Sequence, residues 1–157
     1  MDNEKYMLEA LKLAKQAGEN GEVPVGCVIV DENGAIIGAG ENRRETEHRA
    51  TAHAEVEAIN MACRKLKTWR LDKCSMYVTL EPCPMCAGAI INARIKKLYY
   101  GAKDANTGSC GSVINLFMEP YGHEPQIVGG ILQEECANVL TDFFRRLRGG
   151  ADSVKDN

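Results

Sequence analysis

A chain of 157 residues, 45% hydrophobic and 26% charged, has room for one domain with a full core, and its composition excludes a low-complexity or collagen-like protein. A formal net charge of −3 argues against wholesale nucleic-acid binding, which leaves a basic signature, although local patches can still serve. The opening MDNEKYMLEALKLAKQAG mixes acids and lysines instead of leading a basic start into an apolar run, and no later segment approaches a membrane span, so the expectation is a cytoplasmic protein with no membrane partner. The 7 cysteines are an odd number without a signal peptide, which favours reduced thiols or metal ligands over bridges.

In chain order, Tyr6, Ala10, Leu13 and Ala17 recur at helical spacing, and Gly18 ends the pattern. VPVGCVIVDENGAIIGAGEN holds two apolar runs around an Asn33-Gly34 turn signal and predicts an antiparallel strand pair. The helical period returns from Thr51 to about Lys67. Ser75 to Thr79 reads as a strand, Cys83 to Ala93 as a helix and Lys97 to Tyr100 as a strand. After the loop GAKDANTGSCGS come a short apolar turn (Val113 to Phe117), a brief strand near Gln126 to Val128 and a last helix from about Gln133 to Leu147. The spacing predicts an α/β protein: a mixed five-stranded sheet between helices in three layers, as one domain over 1–148 with a polar, disordered tail over 149–157.

Two short blocks carry the chemistry. Cys83-Pro84-Met85-Cys86 places two thiols one helical turn apart at a helix start, where free N–H groups and the dipole favour thiolates. His53 opens its own helix, and Glu55 sits two residues on, able to enter the same cavity without being a ligand. A redox pair does not account for His-x-Glu, and a structural zinc site wants a fourth Cys or His. Cys74 and Cys110 lack a partner spacing, and with Cys27, Cys63 and Cys136 they read as buried small apolar residues. The set is therefore three ligands, His53, Cys83 and Cys86, with a fourth position open to water. It matches the known H-x-E…P-C-x-x-C signature of zinc nucleobase deaminases. In that chemistry zinc acidifies its water to supply a hydroxide that attacks an amidine carbon, while Glu55 moves protons to the ring nitrogen and the departing amine.

HAEVEAI, VTLEPCPMCAGAI, YYGAKDANTGSCGS and the upstream GEVPVGCVIV resemble the bacterial tRNA adenosine deaminase family, in order over nearly the whole chain. The resemblance implies a cytidine deaminase-like fold, a homodimer, one Zn2+ per subunit, no nucleotide cofactor, and conversion of the wobble adenosine of an arginine tRNA anticodon to inosine. It also implies that Asn42 reads an edge of the flipped base and that Val25, Ala54 and Pro82 help form its pocket. Asp104 corresponds to a family position near the nucleotide sugar, where an acceptor can engage a 2′-hydroxyl; the plain alternative is a turn aspartate in a Gly- and Asn-rich loop. FFRRLR resembles the family's terminal helix against the anticodon loop, with Phe143 as core and Phe144 or an arginine as RNA contact. Three basic clusters, Arg43/Arg44/His48/Arg49, Arg94/Lys96/Lys97 and Arg145/Arg146/Arg148, are solvated faces unless they converge on a site. Two other functions fit parts of the pattern. A deaminase of free guanine, cytosine or a nucleotide would close a C-terminal segment over its pocket, and a zinc-stabilised binding module would have no use for Glu55.

Overall fold

The computed structural model describes residues 2–155, with side chains through 149. Five strands, β1 (Gly26–Val30), β2 (Ile36–Glu41), β3 (Ser75–Leu80), β4 (Lys97–Ala102) and β5 (Gln126–Val128), form one sheet in the order β2-β1-β3-β4-β5. β1 is antiparallel to both neighbours, whereas β3, β4 and β5 run parallel. The helices are α1 (Asn3–Glu19), the short α2 (Arg44–Glu47), α3 (Ala54–Leu66), α4 (Pro84–Ala93) and α5 (Gln133–Lys155), with a 3-10 turn at Leu116–Met118. No helix among the described residues is long and apolar enough to cross a membrane.

Strand periodicity sorts the core into two layers. Cys27, Ile29, Met76, Val78 and Leu98 face α3 and α4, where Ala54, Ala58, Ala62, Ala87 and Ile90 meet them. The alternate residues Val28, Val30, Tyr77 and Tyr99 face α1 and α5 through Met7, Ala10, Leu11 and Cys136. Tyr77 stacks on Tyr99 at 4.6 Å between ring centroids. Its hydroxyl donates to Asn3 Oδ1 at 2.7 Å, so the buried ring keeps a polar partner. This is the expected three-layer α/β/α architecture. Its closeness depends on Gly40, where a Cβ would collide with the Ala54 carbonyl oxygen of α3.

Three local features differ from the sequence reading. The β1–β2 connection is organised by Asp31, whose Oδ1 accepts from the amides of Asn33 and Ala35, both at 2.9 Å, with Gly34 at φ 85°. It is a longer turn than a two-residue Asn-Gly link. The second long helix begins at Ala54, not Thr51, because residues 44–47 form α2 and the chain turns through a left-handed His48 before His53. α5 runs to Lys155 instead of stopping near Leu147. Gly149 and Gly150 weaken a helix without breaking it, and no proline follows. The last two residues of the expected tail lie outside the described residues.

Candidate active site

α4 is the crossover between the parallel strands β3 and β4, and a crevice outside the carboxyl ends of such strands is where α/β sheets place ligands. Here the N-termini of α3 and α4 meet at that edge. His53 is the N-cap of α3 and Cys83 the N-cap of α4, both in extended backbone (ψ 151° and 173°). Pro84 at the first helical position fixes the start of α4 and sets Cys86 one turn below Cys83.

These placements converge three donors. His53 Nδ1 lies 3.6 Å from Cys83 Sγ and 3.5 Å from Cys86 Sγ, and the three donor atoms fall within 4.8 Å of one another. Tetrahedral zinc, with bonds of about 2.0 Å to nitrogen and about 2.3 Å to sulfur, separates its N and S ligands by about 3.5 Å. The donor set and its spacing fit that ion. The neighbouring Cys86 thiol and the His53 ring hold Cys83 down at about 4, while proximity to Cys83 and burial push Cys86 up. The hydrogen bond with Cys83 raises His53 above its ordinary value.

Glu55, 4% exposed, stands beside these donors on the first turn of α3. Burial pushes its carboxyl up to about 7, within reach of both protonation states near neutrality. Of the other residues read from sequence, Val25, Asn42 and Asp104 line the same cleft of about 600 Å³ with His53, Glu55 and Cys83. Asn42 is held at both ends: its Nδ2 donates to the Val23 carbonyl and its Oδ1 accepts from the Ala54 amide, each at 3.0 Å. Ala54 and Pro82 are buried and are not among the lining residues. They work from behind, Ala54 by fixing Asn42 and Pro82 by accepting from Ser109 N at 2.9 Å. Asp104 spends its carboxylate on its own loop, with Oδ1 accepting from Asn106 N (2.9 Å) and Thr107 N (3.2 Å) and Oδ2 from Thr107 Oγ1 (2.8 Å). That is the turn-aspartate geometry.

Two acids escaped the sequence reading. Glu81, 2% exposed, accepts from the amides of Asp104 (3.1 Å), Cys110 (2.9 Å) and Ser112 (3.2 Å), and from the Ser112 hydroxyl. Burial alone would raise its carboxyl, but these bonds, led by the Ser112 hydroxyl, outweigh it and hold the group below its ordinary value. Glu81 therefore pins the loop that brings Asp104 and Thr107 to the cleft. Glu22 does the same for α2, accepting from Glu45 N at 3.1 Å and Thr46 N at 2.7 Å. The only prior signal for either was an acid beside a functional block, which also describes many solvated residues. Among the basic residues, Arg44 lines the cleft, whereas Arg49 is paired with Glu47 (2.5 Å) and Glu57 (2.7 Å).

α5 carries Phe143, Phe144 and Leu147 beside three arginines. The apolar side chains reach the cleft, where Phe143, Phe144 and Leu147 form one wall, while Arg145, Arg146 and Arg148 are exposed. The seven cysteines are unbridged; Cys27, Cys74 and Cys136 are buried, as packing residues should be, whereas Cys63 and Cys110 are half-buried.

The family model of the MafB19-like deaminases matches residues 1–148. A tRNA-specific adenosine deaminase of Bacillus subtilis is 49% identical over 156 residues, 99% of this chain and 96% of the relative. The chain belongs to the tRNA-specific adenosine deaminase family. A solved structure from work on A-to-I editing by tRNA:A34 deaminases at the wobble position of transfer RNA superposes on this deaminase with a TM-score of 0.83 and 44% identity, covering 87% of this chain and 99% of the other. A guanine deaminase of Bacillus subtilis superposes with a TM-score of 0.62 and 45% identity, over 66% of each chain. The deaminase fold is thus shared by enzymes named for different bases, and substrate has to be argued from the cleft.

Proposed function

We propose that this deaminase converts adenosine to inosine at the wobble position of a tRNA anticodon, that of an arginine tRNA, using zinc held by His53, Cys83 and Cys86. The observation that carries the reading is Glu55, buried beside three donors already at the separations zinc requires. When bound, zinc supplies Lewis acidity that makes water a nucleophile near neutral pH. Glu55 takes a proton from the attacking water and delivers it to the ring nitrogen, then takes the remaining proton from the hydroxyl formed on the attacked carbon and passes it to the amine, so that the C–N bond breaks, ammonia leaves and a carbonyl remains. A carboxyl near 7 can do both. Asn42, locked by Val23 and Ala54, retains a second N–H and an oxygen lone pair for the edge of the base. Val25 and the His53 ring bound the base, and Asp104 offers its remaining acceptor capacity to the sugar.

The wall of the cleft favours a polymer over a free base. Phe144 is 42% and Leu147 60% exposed although both line the cleft. Bare aromatic and aliphatic surface at the mouth suits the nucleotides that flank an extruded base and stack as they enter. An anticodon loop is unpaired already, so extrusion there costs little. The exposed apolar side chains of Met85 on α4 and of Val113, Ile114 and Met118 in the segment between β4 and β5 support a homodimer.

The test is to offer the zinc-loaded protein an anticodon stem-loop with A at the wobble position and, separately, adenosine, adenine, guanine, cytosine and cytidine. Inosine from the stem-loop with the free compounds untouched is the expected result. Deamination of guanine or another free compound with an inert stem-loop would overturn the substrate while keeping the chemistry.

A further inference from the structure

At the end of the molecule opposite the cleft, basic residues gather around one aromatic ring. The segment 67–74 joins α3 to β3, and Trp69 within it, the chain's single tryptophan, is 58% exposed. Two guanidinium groups lie against that indole: Arg70 Cζ is 5.2 Å and Arg94 Cζ 5.9 Å from the ring centroid. Arg94 is fixed from behind, as the left-handed C-cap of α4 whose Nη1 donates to the Ile91 carbonyl at 2.5 Å. The segment is anchored by buried Leu71, whose amide donates to Ala93 O at 2.7 Å, and by Lys96 N donating to Cys74 O at 3.1 Å. Lys65, Lys67, Lys73 and Lys96 are exposed around it. The opposing acids are few, with Asp72 at 3.4 Å from Arg70 and Glu32 at 4.0 Å from Lys73.

Cations at the C-termini of α3 and α4 complement the helix dipoles. That accounts for their sign, but not for an indole left bare among them. A planar aromatic side chain flanked by guanidinium groups and lysines offers a base-stacking platform together with phosphate contacts. In a chain with a net charge of −3, so local a concentration of positive charge suits a polyanion. We infer that this pole is a second RNA contact, with Trp69 stacking on a base and Arg70, Arg94 and the lysines meeting adjacent phosphates. The inference rests on the RNA substrate proposed above. α3, of 13 residues, separates the pole from the cleft by about 20 Å. A stacked strand rising about 3.4 Å per nucleotide covers that in about six nucleotides. The contact therefore falls outside the nucleotide being deaminated and its immediate neighbours.

The experiment uses zinc-loaded wild-type protein, Trp69→Ala and Arg70→Glu, with full-length tRNA as probe and thermal melting as the control for folding. Because Trp69 is the sole tryptophan, RNA should quench the protein's indole fluorescence directly. KM for the tRNA should rise about tenfold in Trp69→Ala, as loss of one base–aromatic stack implies, with kcat within about twofold. Arg70→Glu should flatten the dependence of log KM on log salt by about one unit. Trp69→Phe, retaining a ring, should recover most of the KM. Unchanged fluorescence and KM would overturn the inference, as would a fall in kcat alone. A shift in oligomeric state of the variants on size-exclusion would overturn it too, by making the pole a subunit contact. If RNA quenches Trp69 but wild-type protein makes no inosine, the deamination reading fails and the RNA contact stands.

Discussion

Glu55 and Cys86 are both buried within one site, yet their removal should have different effects. Glu55→Gln keeps the shape and all three donors, so zinc content and thermal midpoint should match wild type, while inosine formation should fall by roughly 10²–10⁴-fold, the usual range for a lost acid–base group. Metal analysis beside a turnover assay checks this, and a variant as active as wild type would remove Glu55 from the mechanism. Cys86→Ala deletes a donor atom 3.5 Å from His53 Nδ1; the purified variant should carry far less than one zinc per chain, and full metallation would exclude Cys86 as a ligand. His53, Glu55, Cys83 and Cys86 were legible because each pair lies within four positions and the spacing itself fixes relative direction on a helix. Glu81 and Glu22 were not, because the hydrogen bonds that define them reach 23 to 31 residues along the chain. Ala54 was legible as part of the motif, but its contribution is a backbone amide to Asn42, which no side-chain pattern encodes.

Among the elements, α1 and α3 could be read from the helical spacing of their buried residues, and β1 from an apolar run that is buried throughout, bounded by turn residues. The short helix α2 could not. α2 has no buried residue and so leaves no apolar signature; it exists because Glu22 receives the Glu45 and Thr46 amides and because His48 turns left-handed after it. α5 was legible in part: FFRRLR carries its arginines and its aromatics on the same turn, and Phe143, read as core, is half-buried and lines the cleft together with Phe144. The 103–112 loop gives a prediction at this scale. Glu81→Gln would turn one acceptor oxygen into a donor facing N–H groups, which should cost about 1.5–3 kcal/mol in a denaturant titration. Ser112→Ala, removing one hydroxyl, should cost less. Because Asp104 and Thr107 line the cleft, the Gln variant should raise KM for the stem-loop more than it lowers kcat, and a variant with wild-type KM would show that the loop holds its position without the carboxylate.

For the molecule as a whole, the three buried carboxyls other than Glu55 pull stability in opposite directions with pH. Glu22 and Glu81 are held below the ordinary 4.5, so their contribution is present above about pH 4.5 and is lost as pH falls through their folded values. Glu41 has the opposite sign: burial raises it above 4.5 despite Arg43, and its contribution is complete below 4.5 and lost as pH rises through the folded value. Its carboxylate charge is buried, 4% exposed, with Oε2 lacking any hydrogen-bond donor and Arg43 at 3.6 Å as its ionic partner. Removing that charge while keeping the shape should therefore help. Glu41→Gln should raise the unfolding free energy at pH 7 by about 1 kcal/mol, and the gain should shrink toward zero near pH 4, where the wild-type carboxyl is itself protonated. Paired denaturant titrations at the two pH values measure the difference, in which the pH dependence of Glu22, Glu81 and the metal donors cancels because both proteins share it. A gain that persisted at pH 4 would mean that the benefit comes from the amide's packing; a loss at pH 7 would mean that the Arg43 ion pair outweighs the burial of the charge.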